Sequence, residues 1–114
     1  MTTTELDASH YTYRVTWSAE DGEYVATCLE LPSLSWLAAS QQEALTGLSD
    51  LVADVVADLR TTGEPVPEPL SERAYSGKFN LRVGTDLHRR LAIEAAEQNL
   101  SLNQYLVRRL SSAS

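Results

Sequence analysis

Lys78-Phe79-Asn80-Leu81-Arg82-Val83, followed by residues 85–110, decides how this 114-residue chain is read. Phe79, Leu81 and Val83 alternate with Lys78, Asn80 and Arg82, so a strand here puts three apolar side chains on one face and three polar ones on the other. Thr85 is placed to cap a helix. Asp86 suits the positive end of that helix's dipole, and Leu87, Leu91 and Ala95 recur every four residues along one side. Asn tolerates the left-handed conformation that ends helices, which puts a turn at Asn99-Leu100. Ser101 can then cap a second helix carrying Leu102, Tyr105, Leu106 and Leu110 on a single stripe.

A strand and two short helices bury too little apolar surface to stand alone, because pieces below about 40 residues usually need disulfides, a metal or a partner chain. No cysteine or histidine cluster lies in the segment, so the expected staple is a second copy. Two such strands paired antiparallel about a two-fold axis would turn Phe79, Leu81 and Val83 onto the helices, with Leu91 and Leu106 completing a dimer core. The same pairing lines one ribbon face with two copies of Lys78, Asn80 and Arg82. A two-stranded ribbon fits the DNA major groove, where arginine takes guanine and asparagine takes adenine in bidentate fashion. Ser101, Asn103 and the backbone N–H groups opening the second helix would hold a phosphate. The competing reading makes the polar face the solvated side of a sheet. Against it, that face holds no acid, and from Ser76 onward six basic residues meet three acidic ones, a net of +3. Residues 76–112 resemble a ribbon-helix-helix domain of the bacterial repressor and antitoxin type.

The net charge of −7 hides an asymmetry. Residues 1–75 hold Arg14, Arg60 and Arg73 against thirteen acids, a net of −10, so the front and back of the chain should meet different partners. The single Cys28 cannot form an internal disulfide, and the first residues have neither the basic nor the apolar run of a signal peptide. No apolar run approaches the roughly 18 residues of a membrane span. These features predict a cytoplasmic protein without membrane contact, with residues 1–10 a disordered lead-in.

From Tyr11 the pattern is β. Tyr11, Tyr13, Val15 and Trp17 alternate with polar residues, Glu20-Asp21-Gly22 marks a turn, and a second strand from about Tyr24 to Leu29 pairs back as a hairpin. Pro32 separates it from a third short strand at about Leu34 to Ala38. Cys28 reads as a small buried hydrophobe, and the isolated His10 and His88 suggest no metal site. Ser40-Gln41-Gln42-Glu43 is a capping box for the longest helix, which should run to about Arg60 with Gly63 just past its end. Leu45, Leu48, Leu51, Val52, Val55, Val56 and Leu59 cover its apolar arc, while Glu43, Asp50, Asp54 and Asp58 form an acidic stripe. Like charges at that spacing cost a few tenths of a kcal/mol per pair. The stripe is either a solubilising face or a docking surface for a basic partner. Residues 63–75, with prolines at 65, 67 and 69, read as an extended linker. The fold class is therefore α+β, with a β-β-β-α domain at residues 11–62 and the dimerisation module behind it.

That order, with Asp21-Gly22, Tyr24-Val25-Ala26, Leu31-Pro32, Glu43-Ala44 and Gly63-Glu64-Pro65-Val66-Pro67, resembles the HicB family of antitoxins over nearly all of residues 11–110. Asn99 stands where that family usually has an interhelical glycine. The resemblance implies a truncated RNase H-like front domain that blocks a small basic HicA-like RNA-cleaving toxin, and a back domain that represses the shared operon through operator DNA. Toxin-binding candidates are Asp21, Glu23, Glu30, Asp50, Asp54 and Asp58. The homodimer could pair further into a tetramer. Catalysis is not expected: two-metal chemistry needs acids converging on ions about 4 Å apart, and the first strand carries none. No cofactor is implied. The alternative is a stand-alone ribbon-helix-helix regulator whose front domain binds a small effector.

Overall fold

The computed structural model describes residues 7–112, which divide into two compact units meeting between Tyr75 and Ser76. Residues 1–6 of the expected lead-in lie outside the described residues. The rest of it is ordered. Asp7 caps a 3-10 turn at Ala8–His10, and Ala8 packs against the core of the first unit.

The first unit is a three-stranded antiparallel meander under one helix. Strands β1 (Tyr13–Ser18), β2 (Glu23–Cys28) and β3 (Ser35–Ala38) are hydrogen-bonded in the order β1-β2-β3. Tyr13 pairs with Cys28, Val15 with Ala26 and Trp17 with Tyr24, while Ala26 and Tyr24 also oppose Trp36 and Ala38. Because side chains alternate, these residues share one face of the sheet. Helix α1 (Gln41–Thr62) lies on that face and buries Ala44, Leu48, Val52 and Val56, a strict four-residue repeat. Burying a Leu or Val fully is worth about 1.5–3 kcal/mol. The ends of α1 follow its sequence: the Ser40 Oγ accepts from the Glu43 N–H at 3.1 Å, and Gly63 closes the helix at φ 76°.

The expected linker does not hang free. Residues 64–69 form no helix or strand, as their prolines require, but Val66 packs on the core and Pro69 is fully buried. The Tyr11 hydroxyl donates to the Pro67 carbonyl at 2.6 Å, and Leu70 opens a 3-10 turn, Leu70–Glu72, that returns toward His10. Alternating prolines hold the backbone extended at little conformational cost, so the segment docks as a strap over the sheet's end.

In the second unit, helices α2 (Thr85–Glu97) and α3 (Leu102–Ser112) pack through a turn in which Asn99 adopts φ 58°. Asparagine therefore does at this corner what a glycine would do. Gly84, not Thr85, is the N-cap of α2, and Thr85 is its first helical residue. Ser101 does cap α3: its Oγ accepts from the Gln104 N–H at 3.0 Å, and its own N–H donates to Gln104 Oε1 at 3.0 Å. The strand expected at residues 78–83 is not formed in the single chain. A ladder needs a second backbone, and this segment has none among the described residues.

Candidate nucleic-acid and partner interfaces

Within the second unit only Ala95 and Tyr105 of the described residues are buried. Tyr105 is pinned by its hydroxyl, which donates to Glu94 Oε1 at 2.6 Å and accepts from Arg109 at 2.9 Å. Its phenol is held above the usual range, first by the hydrogen bond to the Glu94 carboxylate and then by burial. Arg109 is thereby engaged within its own unit.

The apolar residues assigned to a dimer core remain uncovered. Phe79 is 76% exposed and Leu81 59%, while Val83, Leu91 and Leu106 are half-buried. They border two open grooves. One, of about 480 Å³, is lined by Leu81, Val83, His88, Leu91, Leu102 and Leu106 among others. The other, of about 510 Å³, includes Phe79, Leu81, Asn103, Leu106, Val107 and Leu110. Leu81 and Leu106 line both grooves, so one continuous apolar surface runs from residue 79 to the helices. In the first groove, Gly84 was not singled out by sequence and His88 was read only as an isolated histidine, since a lone histidine and a lone glycine carry no pattern.

Lys78, Asn80 and Arg82 are all exposed. Ser101 and Asn103 are exposed too, but both the Oγ and the N–H of Ser101 are committed to Gln104. The N–H groups of Leu102 and Asn103 have no intrahelical acceptor by helix geometry, so they are the donors the start of α3 offers to an anion.

The acidic candidates of the first unit separate into three environments. Asp50, Asp54 and Asp58 are exposed along α1, away from its buried repeat. Asp21 lies in the β1–β2 turn, where it accepts from the Ser18 hydroxyl at 2.8 Å, and Glu23 is half-buried at the start of β2. Glu30 is not on the surface at all. It is 8% exposed, and its carboxylate accepts from the N–H groups of Thr12 and Leu70, both at 2.9 Å, from the Thr12 hydroxyl at 3.1 Å and from the Cys28 thiol at 3.6 Å. Burial works against its charge, but the Leu70 and Thr12 N–H groups outweigh it and hold the carboxyl below its ordinary value. Glu30 thus ties Leu70, at the end of the strap, to Thr12, the residue before β1, and is withdrawn from the docking candidates. Burial pushes the neighbouring Cys28 thiol up, which disfavours its thiolate.

One comparison bears on the segment that carries the strap, the open apolar surface and both helices of the second unit. Residues 61–110 match the HicB family. The HicB match begins in the last turn of α1 and runs nearly to the end of α3. HicB proteins are in general antitoxins of toxin–antitoxin pairs and non-enzymatic regulators, whose partner is a toxin. No curated protein and no solved structure matches the chain. No helix among the described residues is long and apolar enough to cross a membrane.

Proposed function

We propose that this chain is the antitoxin of a type II toxin–antitoxin pair, which neutralises a small basic HicA-like RNA-cleaving toxin and represses its own operon. The HicB match over residues 61–110 carries the reading. The structure supports it from two sides. The second unit leaves a groove-lined apolar surface that a second copy would cover, with the ribbon-helix-helix arrangement as its natural solution. The first unit, a β-β-β-α layer that we take as truncated RNase H-like, has a large acid excess suited to a cationic partner. In the dimer, residues 78–83 of two chains would pair and present Lys78, Asn80 and Arg82 to base edges. Leu102 and Asn103 N–H groups would hold a phosphate.

The deciding experiment is co-expression with the product of the adjacent reading frame. A small basic protein that is toxic alone, harmless with this chain and co-purified with it is expected; a chain that neither binds nor rescues has another role.

For the DNA contacts, Asn80→Ala and Arg82→Ala should each cost about 1–3 kcal/mol of discrimination between operator and random duplex, measured by competition binding. Equal losses on both duplexes would show that the ribbon grips DNA without reading it. For the partner contact, converting Asp50, Asp54 and Asp58 to asparagine removes three charges with little change of shape. Stopped-flow association with the toxin should slow and lose much of its salt dependence. An unchanged rate would make the stripe a solvated face.

A further inference from the structure

Helix α1 gives up stability along one side. Gly47 stands mid-helix, where glycine is the poorest residue after proline, and it lies one turn after Glu43 and one turn before Asp50, in line with Asp54. The local reason for the glycine is Trp36, whose indole rests on that position so closely that a Cβ there would collide with the ring. Even so seated, Trp36 remains 43% exposed. Leu37, on the opposite face of β3, is 40% exposed, and β3 is an outer strand of the sheet. The β3 edge therefore shows a large hydrophobe on each side, and the helix position under the tryptophan has a carboxylate residue one turn away in each direction, Glu43, which accepts from the Ser40 hydroxyl at 2.9 Å, and the exposed Asp50. Exposed apolar surface beside charge of one sign marks a place for a partner of the opposite sign.

We propose that the β3 edge, with Trp36 seated on Gly47 between Glu43 and Asp50, is the docking surface for a protein that presents clustered arginines. This deepens the partner-binding reading and rests on it. Acids alone would draw any cation. An indole face beside carboxylates selects the guanidinium, which stacks flat on the ring while its N–H fork takes the acid in bidentate fashion; lysine, a point charge, does neither as well.

The test uses the full chain carrying Trp17→Phe, which leaves Trp36 as the sole indole. Its emission is followed while deca-arginine or deca-lysine peptide is added at low salt. A saturable change is expected, with the arginine peptide about fivefold tighter than the lysine peptide. Gly47→Ala, which lifts the ring from its seat and keeps every charge, should weaken arginine binding about three- to fivefold with the helix content by circular dichroism intact. Asp50→Asn with Asp54→Asn should weaken it about tenfold and flatten its salt dependence, and this second variant does not disturb the seat. Arginine peptide that binds by calorimetry without moving Trp36 emission would overturn the proposal, as would equal affinity for the two peptides. Trp36 emission that shifts as the chain alone is concentrated, with a mass rise by light scattering that persists when Leu81→Glu removes pairing through residues 78–83, would make the occupant a second copy and also overturn it. A co-purifying basic toxin that binds Gly47→Ala and the double asparagine variant unchanged would leave the antitoxin reading intact and overturn this surface.

Discussion

Leu81→Glu is expected to leave the first unit folded and to abolish self-association and operator binding together. Leu81 borders both apolar grooves of the second unit, so in a dimer it would sit where the two copies' grooves close. A carboxylate there would be an unpaired charge in a dry core, at a cost of about 3–5 kcal/mol per copy. Two such losses, about 6–10 kcal/mol, are comparable to the whole 5–15 kcal/mol that holds a typical domain together. Light scattering should report a monomer at micromolar concentration. Circular dichroism should lose the signal of α2 and α3 and keep that of α1, whose core lies in the other unit. A Leu81→Glu chain that still associates and binds operator would remove the case for pairing through residues 78–83.

Glu30→Ala should destabilise the first unit by about 2–6 kcal/mol, because it strands the N–H groups of Thr12 and Leu70 without an acceptor, at about 1–3 kcal/mol each. Urea unfolding followed by Trp17 and Trp36 emission measures it. The native carboxylate also makes a pH signature. Its folded pKa lies below its unfolded value of about 4.3, so its contribution is complete above that value and is lost as pH falls through the folded pKa. Glu30→Gln keeps an acceptor but cannot titrate. Between pH 5 and 3 it should therefore lose less stability than the natural chain; an identical acid loss in both would move the acid sensitivity to other carboxylates.

Most of the first unit is legible in the residues, since strand alternation, a capping box and a four-residue apolar repeat are local signals that α1 and the hairpin obey to within a residue or two. Two features were not. The strap reads as a linker because prolines exclude ladders and helices, and nothing local tells a docked extended chain from a free one. Glu30 reads as surface because carboxylates usually are; only the fold brings the Leu70 N–H, forty residues away, to its oxygen. In the second unit the helices and the Asn99 corner follow their sequence. The 78–83 strand does not appear, because its hydrogen bonds belong to an encounter between chains rather than to one chain. The acidic stripe was visible as a helical face, whereas Trp36 on Gly47 joins two elements and has no signature in either.

Cys28, the one cysteine of the chain, is 1% exposed in the first unit's core. A thiol reagent can reach it only when that unit opens, so the rate of labelling counts openings of the sheet and α1 and is blind to the second unit. With reclosing fast against the chemistry, the ratio of labelling rates in native and unfolded chain is the opening equilibrium itself. Toxin, operator and dilution can then each be added in turn, and a single native sulfur reports which of them the first unit feels.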